Sequence, residues 1–124
     1  MLVEIKDLRG VALDYAIAKI LSVKGLVRNF PGYAYIPKGK RAHYKWSPTE
    51  NPKQSLPLIE QFIDTAIKRD GVWYAEGRLK ERSFTYGFKG ETMIEACLRV
   101  ILAAHIDTHQ FDVPAELVEL AKVK

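Results

Sequence analysis

The segment Trp46-Ser47-Pro48-Thr49-Glu50-Asn51-Pro52 gathers two hydroxyls, a carboxylate, a carboxamide and an indole into one proline-punctuated turn, and Leu56-Pro57-Leu58-Ile59-Glu60 follows as an apolar stretch. A turn just ahead of a helix presents side chains and backbone N–H groups to whatever lies above the helix start. Upstream, Lys38, Lys40, Arg41 and Lys45 interleave with Tyr35, His43, Tyr44 and Trp46. Basic groups attract phosphate, and aromatic faces stack on bases. The expected division of labour gives Ser47, Thr49 and Asn51 hydrogen bonds to ribose or phosphate. Lys40, Arg41 and Arg99 neutralise charge, and Tyr44 or Trp46 stacks on a base. The same residue types have a structural use too: Ser, Thr and Asn before a helix are its ordinary caps, and lysines snorkel from a solvated hairpin.

Catalytic parts are sparse. The chain carries no Gly-rich phosphate loop, no nucleophile elbow and no His-Glu-x-x-His helix. Asp14 and Glu60 could supply acid/base groups, but each is more simply a solvent-facing or capping residue, and Ser47 and Thr49 have no evident activating base beside them in sequence. His105 and His109 stand four residues apart, yet Asp107-Thr108 reads as a helix end between them and no third ligand offers itself, so no metal site is expected. A single Cys97 excludes an intramolecular disulfide and most cysteine metal sites. These features predict a binding protein without cofactor rather than an enzyme.

The net charge of +4 makes anionic partners plausible without choosing among them. No apolar run reaches the ~20 residues needed to cross a membrane, and no signal-peptide pattern opens the chain, which predicts a cytoplasmic protein. At 124 residues the expectation is one domain spanning 1–124.

Leu13, Ala16, Ile17, Ile20 and Leu21 recur at helical spacing and predict a first helix over Val11 to Val23, with Gly25 after it. Leu26 to Phe30, Tyr33 to Ile36 and His43 to Trp46 read as short strands. A second helix is expected from Pro57, capped by Ser55, with Leu58, Ile59, Phe62, Ile63, Ala66 and Ile67 on its apolar face and Asp70-Gly71 as its end. Val72 to Glu76 and Ser83 to Phe88 read as a hairpin, with Phe84, Tyr86 and Phe88 on one face. Thr92 and Glu95 form a capping box for a third helix with Ile94, Cys97, Leu98, Ile101 and Leu102 as its stripe. Arg99 lies off that stripe, where an exposed ion pair with Glu95 is expected. Asp112-Val113-Pro114 opens a short last helix through Ala121. Long amphipathic helices and a small hairpin-built sheet predict an α+β fold, a small antiparallel β-sheet layered with helices.

Ala12-Leu13-Asp14-Tyr15-Ala16-Ile17-Ala18, the Ser47-Pro48-Thr49 to Pro57-Leu58-Ile59-Glu60 segment, Trp73-Tyr74-Ala75 and the stretch from Thr92 through Leu117 together resemble small phage and prophage proteins of the NinX-like family and the related phage ABA-sandwich domains. The chain departs from that pattern over Asn51-Pro52-Lys53-Gln54-Ser55-Leu56, where relatives place a Trp or a Gly-Gly pair. The resemblance implies an α-β-α sandwich and an accessory protein made inside an infected bacterium.

By analogy with small phage proteins that capture immune signals, the leading expectation is sequestration of a nucleotide-derived host signal, of the cyclic ADP-ribose or cyclic oligonucleotide type, without cleavage. Nanomolar capture requires about −12 kcal/mol, and one stacked base supplies only ~1–3 kcal/mol. Near-complete enclosure is therefore needed, which predicts a homo-oligomer. Thr49→Ala and Trp46→Ala are expected to abolish binding with the fold intact. Inhibition of a host protein is the alternative, with a nucleic-acid-binding accessory role behind it.

Overall fold

The computed structural model describes residues 1–79 and 85–122. In chain order the elements are β1 (Leu2–Glu4), a 3-10 turn (Ile5–Asp7), α1 (Gly10–Leu21), β2 (Val27–Asn29), β3 (Gly32–Tyr35), β4 (Tyr44–Trp46), α2 (Pro52–Phe62), β5 (Ile63–Arg69), β6 (Val72–Gly77), β7 (Tyr86–Gly90), α3 (Met93–Ile106), β8 (Gln110–Asp112) and α4 (Ala115–Lys122). The fold is α+β. Among the described residues the strands divide into three small antiparallel sheets, β1–β8, β2–β3–β4 and β5–β6–β7.

The core is organised around α3. Every residue from Ala96 to Ala104 is buried, which follows from a sequence apolar on nearly all sides. Thr92 Oγ1 accepts the Glu95 N–H at 3.1 Å, the expected cap, while the Glu95 carboxylate reaches past Thr92 to the Glu91 N–H at 3.0 Å. The β5–β6–β7 sheet packs on one side of α3, with Ala75 and Phe88 buried and Trp73 and Tyr86 partly so. Gly90 ends β7 directly against the helix: a Cβ there would stand 2.6 Å from the Ala96 nitrogen. On other sides α3 meets α1 and α2, and α1 in turn carries α4 and the β2–β3–β4 sheet.

Two segments depart from expectation. The second helix starts at Pro52, five residues before Pro57, because Asn51 caps it and Pro52 fills the first helical position, where a missing N–H costs nothing. It stops at Phe62, and Ile63–Arg69 is strand β5 instead of two further helical turns. The apolar positions Ile63, Ala66 and Ile67 fit a helical stripe, but Ile63, Thr65 and Ile67 are also β-branched residues at period two. Asp70-Gly71 decides the matter. Both residues have positive φ, 52° and 79°, the geometry of a two-residue hairpin turn, so this pair reverses the chain from β5 into β6.

The first helix is slightly shorter than expected, ending at Leu21 with Ser22 in the left-handed conformation. The strand expected from Ser83 is described from Tyr86, and Ser83 and Phe84 lie outside the described residues. Strands β1 and β8 were not anticipated, since three residues each are too few to show a period. No described helix is long and apolar enough to cross a membrane.

Candidate ligand-binding regions

The Ser47–Asn51 turn is held from below by α1. Asp14 lies on α1 beside the buried stripe of Leu13, Ala16 and Ile17 and is 4 % exposed. Its Oδ1 accepts the Thr49 N–H at 2.8 Å, and its Oδ2 stands 3.0 Å from the Thr49 hydroxyl. The indole of Trp46, 6 % exposed, donates Nε1–H to the Asp14 carbonyl at 2.7 Å. The Ser47 carbonyl accepts the N–H groups of Glu50 and Asn51, and its own N–H goes to Gln54 Oε1 at 2.7 Å. Asn51 Oδ1 caps α2 through the Lys53 N–H. Each of these contacts serves the fold.

Burial pushes the Asp14 carboxyl up to about 7 from its ordinary 3.8; the two Thr49 hydrogen bonds oppose that shift and are too weak to cancel it. No base stands beside Thr49 along the chain, and the fold supplies one from 35 positions away. The result is a hydroxyl–carboxylate pair beneath a half-exposed turn.

The residues immediately upstream behave oppositely. The β3–β4 loop and strand β4 carry Lys38, Lys40, Arg41, His43, Tyr44 and Lys45, all exposed. Lys45 makes an exposed 3.5 Å pair with Glu50. The side chains of Lys38, Lys40, Arg41 and His43 make no hydrogen bond or ion pair among the described residues. From Tyr15 to Thr49 the chain holds seven Lys and Arg and not one Asp or Glu. The cross-strand register places Tyr33 opposite Trp46 and Tyr35 opposite Tyr44. With the period of two along each strand, all four rings share one face. That face runs from solvent to core: Tyr44 is 48 % exposed, Tyr35 is half-buried, and Trp46 packs edge-on to Tyr35 with ring centroids 5.0 Å apart.

Arg99 belongs to neither group, and its environment corrects the expected exposed pair. It is 7 % exposed. Nε–H donates to the Leu8 carbonyl at 2.9 Å, Nη1 to the Lys89 carbonyl at 2.6 Å, and Nη2 lies 3.3 Å from Glu95. Helical spacing placed it off the narrow stripe, but α3 is covered all round, so that position too is interior. Burial pulls its pKa below the usual value, with Glu95 opposing.

Arg99 also lines a half-open cleft of about 660 Å³ between the β1 and 3-10 segment, the start of α1 and the face of α4. Lys6, Arg9, Arg99 and Lys122 contribute positive charge, Glu4 and Asp7 negative, and half-buried Val3 and Val118 apolar surface. Arg9 is the residue that sequence reasoning missed. It is half-buried, its side chain makes no hydrogen bond or ion pair among the described residues, and it lines two further cavities of about 490 and 290 Å³ with Glu95. The one sequence sign is its place directly before Gly10 at the head of α1.

The two histidines do not form a chelating pair on one helix. His105 is on α3 with Nδ1 at 2.7 Å from the Ile101 carbonyl, whereas the helix ends at Ile106 and His109 lies beyond it against Tyr86 and Phe88. Cys97 is fully buried, and burial pushes its thiol up to about 11.

No protein-family model matches the chain, and no curated protein matches it.

Proposed function

We propose that this protein holds a nucleotide-derived anion in the Arg9–Arg99 cleft and sequesters it without cleavage, acting as a phage accessory protein against a nucleotide-based host signal. The observation that carries this reading is Arg9, a half-buried guanidinium with no protein partner among the described residues at the mouth of a 660 Å³ space. That volume is within the ~300–1,000 Å³ of small-molecule sites. A guanidinium is the side chain best shaped for bidentate contact with phosphate. Arg99, fixed by its two carbonyl contacts, adds charge at the cleft without having to be ordered on binding. Half-buried Val3 and Val118 give the cleft apolar surface that suits a base or ribose edge. The resemblance to NinX-like phage proteins supplies the biological setting. The cleft is half open, and a second copy of the chain closing it would give the enclosure that nanomolar affinity requires.

Thermal unfolding against cyclic dinucleotides, cyclic trinucleotides and cyclic ADP-ribose isomers tests the reading, with each ligand recovered and weighed by mass spectrometry. Binding at a hundred-fold excess over Kd stabilises by about 2.7 kcal/mol. The expected result is such a shift with one ligand class, the ligand recovered intact, and the shift lost in Arg9→Gln. No shift across the panel overturns the proposal.

A second reading has one observation in its favour: the Thr49 hydroxyl on Asp14, whose carboxyl titrates near neutrality, is the arrangement of a nucleophile with its general base. It requires the recovered ligand to be cleaved, and cleavage to stop in Thr49→Ala.

A further inference from the structure

We infer that the β2–β3–β4 sheet and the β3–β4 loop form a binding surface for single-stranded nucleic acid. The inference is independent of the cleft: none of the cleft-lining residues lies between Tyr15 and Thr49. Three observations converge. The first is charge segregation. Five of the segment's seven cations, Arg28, Lys38, Lys40, Arg41 and Lys45, lie on the sheet or its loop with no carboxylate between Tyr15 and Thr49, and they exceed the net charge of +4 of the whole chain.

The second is availability. Arg28 is engaged with the Pro31 and Gly32 carbonyls and with Glu116, and Lys45 with Glu50, but the side chains of Lys38, Lys40 and Arg41 are exposed and without a protein partner among the described residues. Three such cations spread along one loop can each meet a different phosphate of a strand.

The third is the aromatic face. Tyr44 stands half in solvent beside the loop, on the same sheet face as Tyr35, which lies opposite it in register and packs edge-on to buried Trp46. An exposed ring presented from a strand is a platform on which an unpaired base can stack. A duplex keeps its base faces covered and would leave Tyr44 unused. Unpaired DNA or RNA is therefore the polymer this surface fits, with micromolar affinity expected from so few phosphate contacts.

Fluorescence anisotropy with labelled twelve-nucleotide oligo(dT) and oligo(U), and a duplex of equal length, tests the inference. For three phosphate contacts the single-strand affinity should fall roughly eighteen-fold between 50 and 200 mM salt, from a slope of about −0.7 per contact. The triple variant Lys38→Gln, Lys40→Gln, Arg41→Gln should bind weakly and with little salt dependence. Tyr44→Ala should weaken binding roughly ten-fold at every salt concentration and leave the slope unchanged. Arg9→Gln should bind as the wild type does, which separates failure here from failure of the cleft. All altered residues except Arg9 are exposed, and the unfolding temperature of each variant reports whether it folds. The inference is overturned by absence of oligonucleotide binding at 50 mM salt, by an unchanged slope in the triple variant, or by equal affinity for duplex with Tyr44→Ala indistinguishable from wild type. A difference between the DNA and RNA arms within a positive result assigns the natural strand.

Discussion

The β3–β4 loop and the Ser47–Asn51 turn are separated in sequence only by strand β4, and both are rich in the residue types that bind ligands. Their polar groups have opposite fates. In the turn, Ser47, Thr49 and Asn51 are tied to Gln54, Asp14 and the first turn of α2. In the loop, the charged ends of Lys38, Lys40 and Arg41 have no partner among the described residues. The difference lies in what stands beneath each segment. The turn sits on α1, whose Asp14 and buried neighbours draw its hydroxyl and N–H groups downward, while the loop overhangs the end of a small sheet. Residue type marks both as candidate binding segments, but only the free capacity of each group tells which can accept a ligand.

Trp46 and Tyr44 sharpen that contrast most. They are two residues apart on one strand and face the same way, yet one is core and the other half in solvent. Trp46→Ala should lower stability by about 3–5 kcal/mol, the usual cost of deleting a buried aromatic. Tyr44→Ala should stay within about 0.5 kcal/mol of wild type. Chemical denaturation of the two variants measures both. A stable Trp46→Ala protein would remove the distinction between anchored turn and open loop, and would also restore the expectation that Trp46 can be cut away with the fold intact.

Asp14 provides the next largest effect. Its carboxyl is held near 7 in the fold and titrates at about 3.8 when unfolded. Between those values the native state binds the extra proton, so the contribution is fully present below about pH 3.8 and is lost as pH rises through 7. Asp14→Asn keeps an oxygen for the Thr49 N–H and gains a donor for the Thr49 hydroxyl. It should therefore become progressively more stable than wild type from pH 4 to 7, by about 1.4 kcal/mol per pH unit, with a plateau above. Glu50, which adds to the upward shift, and Lys45, which opposes it, set where the plateau begins. A constant difference at all pH values would mean that Asp14 ionises in the fold as it does in the unfolded chain, and that the Thr49 hydrogen bonds offset its burial.

The α+β class, the stripes of α1 and α3 and the Thr92 cap were legible in the sequence because each rests on local periodicity or local hydrogen bonding, whereas half of the stripe expected for the second helix lies in β5. What was not legible came from outside the segment concerned. Asp14 looked like an ordinary helix carboxylate because its partner Thr49 arrives from another element. Arg99 looked exposed because one helix alone cannot show that α3 is covered on every side. Asp70-Gly71 was ambiguous because the same dipeptide ends helices and turns hairpins; the residues before it fit both periods. Arg9 had no pattern to reveal it, since its interest is the space around it.

Arg9 tests the cleft against the loop with a smaller energetic effect. Its side chain makes no hydrogen bond or ion pair among the described residues, so Arg9→Gln should alter stability by less than about 0.5 kcal/mol without ligand. Arg99→Ala, in contrast, leaves the Leu8 and Lys89 carbonyls and Glu95 without their donor and should destabilise by several kcal/mol, as loss of one partner from a buried charged network does. Two arginines lining one cleft would thus separate into a free ligand contact and a structural brace. Equal destabilisation by the two substitutions would show Arg9 to be a brace as well, and the cleft would lose its free guanidinium.

The smallest effect belongs to the loop. Lys38, Lys40 and Arg41 repel one another at close sequence spacing with no carboxylate between Tyr15 and Thr49 to offset them. Their replacement by Gln should leave the midpoint of denaturation at high salt unchanged and raise it slightly at low salt, by a few tenths of a kcal/mol, since exposed charges interact weakly and are screened over about 10 Å at 0.1 M ionic strength. Wild-type stability should therefore increase on going from 20 to 200 mM sodium chloride, and the triple variant should show less of that increase. Equal salt responses would mean that the loop cations are balanced by carboxylates from elsewhere in the fold. A group already balanced has no free charge to offer a phosphate, so the contrast between open loop and anchored turn would fail at the point where it bears on function.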